Sequence, residues 1–238
     1  ITEIGGTIGD IESAPFMEAI RQFKWEKGRD AIFVHLTYVP YLSAAGELKT
    51  KPTQHSVKEL QGEGIQPDIL VLRTEKHLSQ SILHKVASFC NVEEDCVIQS
   101  EDLPSIYEVP RNMQSHGLDA AILRKVGLEV GPVPEMKPWR NFVSRYKNAS
   151  KSVIIGLVGK YNLQDAYKSI REALIQAGAY HDRKADIRFI DSERIGRDNA
   201  AEALAGLDGI VVCPGFGARG TEGKIEAIRY AREHDIPT

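Results

Sequence analysis

The first chemically informative stretch is EIGGTIGDIE, residues 3–12, in which three glycines stand among three acids. The glycines let the main chain approach a ligand closely, and their amides can donate to phosphate. Glu3, Asp10 and Glu12 carry hard carboxylate oxygens, which suit a magnesium ion or the hydroxyls of a ribose. The combination predicts a site for a magnesium–nucleotide complex. A flexible turn with solvated acids is the alternative that this stretch alone leaves open.

A second polar stretch, GELKTKPTQHS, occupies residues 46–56. Lys49 and Lys51 flank Thr50, and Pro52 fixes the backbone ahead of a predicted helix. Two ammonium groups and hydroxyls at a helix N-terminus favour binding of a triphosphate, although a solvated basic turn is the alternative. These residues do not have the spacing of the phosphate loop GxxxxGK[ST]. VGKYN at 158–162 lacks the first glycine of that loop, so we reject it as a phosphate loop.

A third stretch, CPGFGARG at residues 213–220, follows an apolar run that is typical of a strand. Its amides could stabilise an oxyanion or hold a small amino acid, and the alternative is a simple glycine turn ahead of a helix. The chain has three cysteines, Cys90, Cys96 and Cys213, without CxxC spacing. Neither a disulfide framework nor a zinc site is indicated.

Alternating strands and helices are predicted to position these stretches. Short apolar runs predict buried parallel strands at 31–37, 68–73, 95–100, 152–159, 185–190 and 209–213. Helical spacing predicts helices at 13–27, 79–90, 165–177, 198–206 and 220–233. Ser13 is predicted to cap the first helix and Gly28 to end it. The pattern favours an α/β fold with two parallel-sheet units, in which ligands collect at the carboxyl ends of strands.

Composition excludes several classes of partner. The 238 residues carry a formal net charge of −3, which disfavours nucleic acid as the main partner. No run approaches the roughly 18 apolar residues of a membrane span, and a hydrophobic content of 42% is ordinary for a globular protein. We expect no membrane partner and a cytoplasmic location.

Taken together, the stretches resemble one family closely, the cytidine triphosphate synthases. The resemblance rests on GGTIGDIES, KTKPTQHSVKEL, GIQPDIL, SIYEVP, DAYKSI and PGFGARGTEGK, which follow one another in the family's order and cover essentially all 238 residues. It implies two parallel-sheet α/β domains: the later half of a P-loop-type amidoligase domain at 1–128, a linker at 129–150, and the first half of a class I glutamine amidotransferase domain at 151–238. The reaction implied is ATP-dependent amination of UTP to CTP with ammonia from glutamine.

The resemblance also implies roles for individual residues. Glu3 matches a magnesium ligand, Gly215 a glutamine contact, and Phe216 and Arg219 contacts to a GTP activator. The segment at Glu101, Asp102 and Leu103 falls where the family contacts the adenine of ATP. The residues that match contacts to UTP or CTP are Asp10, Ile11, Glu12, Lys49, Thr50, Lys51, Pro52, Thr53, Gln54 and Lys85.

Further expectations come from the family. Mg²⁺, ATP as substrate, CTP as product inhibitor, GTP as activator and a homotetramer are implied. The ATP phosphate loop is expected before residue 1 and the glutaminase cysteine after Thr238, so we expect no catalytic residue in this chain and no activity from it alone. Pro214 stands where many relatives have glycine, and proline has no amide to donate. The alternatives are another ATP-dependent amidoligase fused to a glutaminase, and a piece that serves as an assembly or filament interface.

Overall fold

Parallel three-stranded sheets organise the chain in a computed structural model that describes residues 1–162 and 165–238. Two compact units are resolved, Ile1–Val133 and Pro134–Thr238. The predicted α/β class with two parallel-sheet units is confirmed. The proposed domain boundaries at 1–128, 129–150 and 151–238 remain predictions. None of the helices in the described ranges is long and apolar enough to cross a membrane.

The first unit has a parallel sheet with the order β1-β4-β5. Its elements in chain order are α1 (Ala14–Lys27), β1 (Val34–Val39), β2 (Tyr41–Leu42), β3 (Glu47–Leu48), α2 (Lys51–Gly62), β4 (Ile69–Thr74), α3 (Gln80–Cys90), β5 (Val97–Glu101), α4 (Val109–Ser115) and α5 (Leu118–Lys125). β2 and β3 form an antiparallel hairpin beside it. The central strand β4 is almost continuously apolar, as expected for a strand that packs on both faces, and it supplies Ile69, Leu70 and Leu72 to the core.

The ends of α1 show which local predictions are correct. Gly28 ends the helix as predicted, with a φ of 56° that favours glycine and an N–H that donates to Lys24 O. The predicted side-chain cap at Ser13 is wrong. Residues 10–13 already turn before the helix, and the Ser13 hydroxyl donates back to the carbonyl oxygen of Asp10 at 2.9 Å. Pro15 lies in the first turn, where its missing N–H costs nothing.

The second unit has a parallel sheet with the order β7-β6-β8. Its elements are α6 (Lys137–Asn148), β6 (Lys151–Gly159), α7 (Lys168–Tyr180), β7 (Arg183–Asp191), α8 (Ala200–Ala203), β8 (Gly209–Val212) and α9 (Thr221–Glu233). α6 comes from the predicted linker, contacts α7, and is tied to the end of α7 by the Arg145–Asp182 ion pair at 3.0 Å. At Gly223, α9 approaches the Ser192 carbonyl so closely that an added Cβ would lie 1.7 Å from its oxygen.

Candidate functional site

The opening glycine-rich stretch forms one wall of a cavity of about 380 Å³. The Asp10 carboxylate folds back over the loop and accepts the Thr7 N–H at 2.8 Å. Gly6 makes this possible, because its φ of 88° disfavours other residues and an added Cβ would lie 3.1 Å from Asp10 Oδ2. The lining of the cavity is Thr2, Glu3, Ile4, Gly5, Gly6, Asp10, Glu12, Ser13, Phe16, Ala19 and Ile20.

Glu3, Asp10 and Glu12 therefore share one cavity, as the sequence predicts for an acidic site. Their oxygens do not lie close enough together to form a metal site by themselves. In the described ranges, the group whose three possible metal-ligand atoms lie within 4.8 Å of one another is Glu93, Asp95 and Cys96. Magnesium is usually held by one or two carboxylates together with substrate phosphates and water. Glu3 is an exposed carboxylate in the lining of the cavity, which fits that mode of binding.

The second stretch forms the start of α2, as the proline and the lysines predict. Lys49 pairs with Glu47 at 2.6 Å, and both side chains are about half exposed. Lys51 opens the helix, is exposed, and places Nζ 5.8 Å from the centre of the Phe89 ring. The first-turn amides of α2 have no i−4 partner within the helix, and the helix dipole favours an anion there. Lys49 and Lys51 thus flank Thr50 at the N-terminal end of α2.

The polar residues behind these lysines are turned inward. Thr53 is fully buried, and its hydroxyl donates to the carbonyl oxygen of Tyr38 at 3.0 Å. Gln54 is 2% exposed and donates through Nε2 to the Thr50 hydroxyl at 3.1 Å. The bond from Thr53 fixes the start of α2 against the carboxyl end of β1, and the bond from Gln54 links the helix to Thr50 just before it. The side chains of Thr53 and Gln54 thereby hold the helix end in place.

The structure brings the predicted nucleotide residues together only in part. Gly9 of the opening stretch lies against α2, because an added Cβ would be 3.5 Å from Glu59 Oε1. The lining of the cavity does not include Lys49, Lys51 or Lys85. Ile11 is 90% exposed, and Lys85 is an exposed residue of α3.

The predicted adenine-contacting segment lies where β5 ends. Glu101 Oε1 is 2.8 Å from Nδ1 of His77, and Asp102 accepts from Arg73 Nε at 3.0 Å. The hydrogen bond to the Asp102 carboxylate raises the pKa of Arg73, so the guanidinium stays charged. Leu103 is half-buried beside them. Sequence reasoning missed His77, although its place just after the carboxyl end of β4 is where ligand contacts gather in such sheets.

The loop at 213–220 connects β8 to α9 in the second unit. Cys213 is 2% exposed, and burial raises the pKa of its thiol, so it is unsuited to act as a nucleophile. Gly215 is exposed, and the Phe216 side chain is 95% exposed. Arg219 forms an ion pair with Glu193 and lies 5.6 Å from the centre of the Tyr161 ring.

Three carbonyl oxygens of this loop accept hydrogen bonds from side chains outside it, which sequence reasoning missed. The pairs are Lys224 Nζ to Cys213 O at 2.8 Å, Tyr167 Oη to Pro214 O at 3.3 Å, and Lys160 Nζ to Phe216 O. The only signal in the sequence was the position of Lys160 directly after the apolar run of β6. These contacts engage carbonyl oxygens of the loop, and the Cys213 N–H donates to the carbonyl oxygen of Val158 at 2.9 Å.

Comparisons with known proteins agree with this organisation. Residues 1–128 match the family model for the CTP synthase N-terminus, and residues 162–238 match the model for class-I glutamine amidotransferase. The CTP synthase of Bacteroides thetaiotaomicron is 62% identical over 240 residues, covering 100% of this chain and 45% of the relative. The CTP synthase of Porphyromonas gingivalis is 60% identical over 239 residues, covering 100% and 44%. That of Flavobacterium johnsoniae is 56% identical over 239 residues, again covering 100% and 44%. The chain thus spans less than half the length of these curated relatives.

Proposed function

The chain belongs to the CTP synthase family, and we propose that it supplies the pyrimidine-nucleotide site and the glutamine-facing loop of an enzyme that makes CTP from UTP. The observation that supports this most strongly is the start of α2. There Lys49 and Lys51 flank a buried Thr50 at a helix N-terminus that is anchored to the carboxyl end of β1. Such an arrangement of charge and free amides is suited to a triphosphate.

We propose the following division of contacts in the first unit. Lys49 and Lys51 hold the triphosphate of UTP or CTP, and Lys85 adds a further positive charge. Glu12 and its neighbours Asp10 and Ile11 contact the ribose or the pyrimidine. Four residues at the helix start contribute to nucleotide binding chiefly through the backbone, because their side chains either point inward or carry no donor. They are Thr50, Pro52, Thr53 and Gln54.

The chemistry proposed is a relay. The γ-phosphoryl group of ATP passes to the 4-oxygen of the uracil ring, and ammonia then displaces phosphate from that carbon and loses a proton to give CTP. Phosphoryl transfer asks a protein mainly for positioning and charge neutralisation, which the lysines of this chain can provide. Bound Mg²⁺, with Glu3 as the proposed ligand, supplies further neutralisation of phosphate charge. Glu101, Asp102 and Leu103 are the proposed contacts to the adenine of ATP.

The second unit is proposed to bind glutamine through the loop at 213–220. Because Pro214 has no N–H, the amide of Gly215 is the proposed donor to the oxyanion that forms during amide hydrolysis. Phe216 and Arg219 are exposed beside it and are the proposed contacts to GTP as activator. A cytoplasmic homotetramer completes the proposal, and sedimentation of the full-length protein with and without nucleotides tests the assembly.

Calorimetric titration of the full-length protein with UTP, CTP and uridine tests the nucleotide site. We expect UTP and CTP to compete for one site and uridine, which has no phosphate, to bind far more weakly. If uridine bound as tightly as UTP, the proposed contacts to the triphosphate would be wrong. Independent sites for UTP and CTP would contradict the shared pocket.

A further inference from the structure

The hydroxyl of Tyr167 links two segments of the second unit that are distant in sequence. It accepts a hydrogen bond from the Lys160 N–H, at the end of β6, at 3.3 Å. It donates to the carbonyl oxygen of Pro214, in the loop after β8, also at 3.3 Å. The parallel strands β6 and β8 are neighbours, so their carboxyl ends lie side by side and one phenol can reach both.

Packing fixes the ring that carries this hydroxyl. The ring lies directly on Gly159, where an added Cβ would come within 2.7 Å of Tyr167 Cε2. It also stacks on Phe189, with ring centres 6.5 Å apart and an angle of 19° between the planes. Gly159 lies in a strand and has no positive φ, so the backbone conformation does not require glycine there. Its lack of a side chain instead allows the Tyr167 ring to approach the strand closely.

The hydrogen bond to Pro214 has a geometric consequence for the next residue. The Pro214 carbonyl and the Gly215 N–H belong to one planar trans peptide, in which the C=O and N–H bonds point in opposite directions. Holding the carbonyl toward Tyr167 therefore directs the Gly215 N–H away from the tyrosine. Lys160 restricts the same residue, because an added Cβ on Gly215 would lie 2.7 Å from Lys160 Cε.

We propose that Tyr167 is a positioning residue for glutamine hydrolysis, aiming the Gly215 amide at the oxyanion; this inference rests on the function proposed above. A cysteine thiolate from elsewhere in the full-length protein adds to the amide carbon of glutamine, and the carbonyl electron pair moves onto oxygen. Gly215 N–H donates to that oxygen. The electron pair returns as the amide nitrogen takes up the proton that the cysteine thiol lost and leaves as ammonia. Water then adds to the thioester, glutamate is released, and the cysteine sulfur regains a proton. Such a donor is effective because it is oriented before the reaction.

Tyr167→Phe in the full-length protein removes the hydroxyl and keeps the ring. We expect kcat for glutamine hydrolysis to fall about tenfold, which is less than the roughly 100- to 1,000-fold loss that removal of an oxyanion donor causes. KM for glutamine should stay within about twofold, since the amide matters most in the transition state. CTP formation from added ammonia should keep its rate. Tyr180→Phe is the matched control, because Tyr180 is an exposed tyrosine at the last position of α7, the helix that Tyr167 precedes.

Two further measurements separate positioning from general damage. Gly159→Ala should reproduce the phenotype, because the added methyl displaces the Tyr167 ring while the hydroxyl is still present. Affinity for a γ-aldehyde analogue of glutamine, which forms a tetrahedral adduct with the thiolate, should fall in parallel with kcat/KM. Unchanged glutaminase kcat in Tyr167→Phe overturns the inference. Equal losses of glutamine- and ammonia-dependent synthesis, which indicate a structural role alone, overturn it too. A wild-type protein without glutaminase activity would instead refute the proposed function, and the inference with it.

Discussion

Replacement of Lys51 by alanine should weaken UTP binding while leaving the fold intact. Lys51 is exposed at the first turn of α2. Its Nζ lies 5.8 Å from the centre of the Phe89 ring. A cation–π contact at an exposed site contributes about 0.5–1 kcal/mol, so the loss of stability should be small. Alanine is also a good helix former, which limits any effect on α2.

The expected loss of affinity follows from the phosphate contact proposed for Lys51. A hydrogen bond to a charged group contributes about 1.5–3 kcal/mol, and each 1.4 kcal/mol is tenfold in a dissociation constant. The Kd for UTP should therefore rise about 10- to 100-fold. Lys49 cannot make up for the loss, because it is itself one of the two proposed contacts to the triphosphate in the wild type.

The assay is steady-state CTP formation by the full-length protein with ammonia as nitrogen donor, so that glutamine hydrolysis does not enter the measured rate. Lys58→Ala is the matched control, because Lys58 is an exposed lysine on the same helix, distant from its N-terminus. Direct titration with UTP gives Kd for both variants. The reasoning fails if Lys51→Ala keeps the UTP dependence of the wild type, or if Lys58→Ala weakens UTP equally.

Three more predictions follow from the structure. Glu12→Gln should weaken CTP and UTP by similar factors of about ten, and saturating UTP should displace CTP from the full-length protein; failure of that displacement would separate the two sites. Burial raises the thiol pKa of all three cysteines, to about 11 for two of them, so none should react with iodoacetamide at pH 8 until the protein is unfolded. Rapid native labelling of Cys213, followed by mass spectrometry, would contradict this. Gly223→Ala should cost about 1–3 kcal/mol in thermal unfolding because its methyl meets the Ser192 carbonyl, whereas Gly62→Ala, with open space around it, should not.

The sheets could be predicted from sequence because buried parallel strands carry their own signal. β4 and β6 are runs of apolar residues with few polar interruptions, and both lie at the centre of a sheet. α4 and α5 were not predicted. They have only 7 and 8 residues, contain or border Pro110 and Gly117, and are held by packing of residues such as the fully buried Ala121 on the core. Tertiary contacts of this kind override weak local preference.

The candidate site was predictable to a similar degree. The acidic glycine-rich loop and the lysine-rich loop before α2 could be predicted, because the residues that define each one are consecutive in the sequence. The hydrogen bonds from Lys160 and Tyr167 to the loop at 213–220 could not be predicted from the sequence. The two residues lie 56 and 47 residues from the carbonyls that accept these bonds. Such pairings depend on the neighbouring ends of β6 and β8, which only the sheet order specifies.

Transfer of labelled nitrogen tests the central proposal most directly. The full-length protein is incubated with ATP, UTP, Mg²⁺ and glutamine whose amide nitrogen carries an isotope label, and the nucleotide products are analysed by mass spectrometry. The account predicts CTP with the label in its exocyclic amine, formed together with one ADP and one phosphate for each CTP. Label that reaches a different acceptor, or ATP cleavage without any labelled CTP in the presence of UTP, would contradict it.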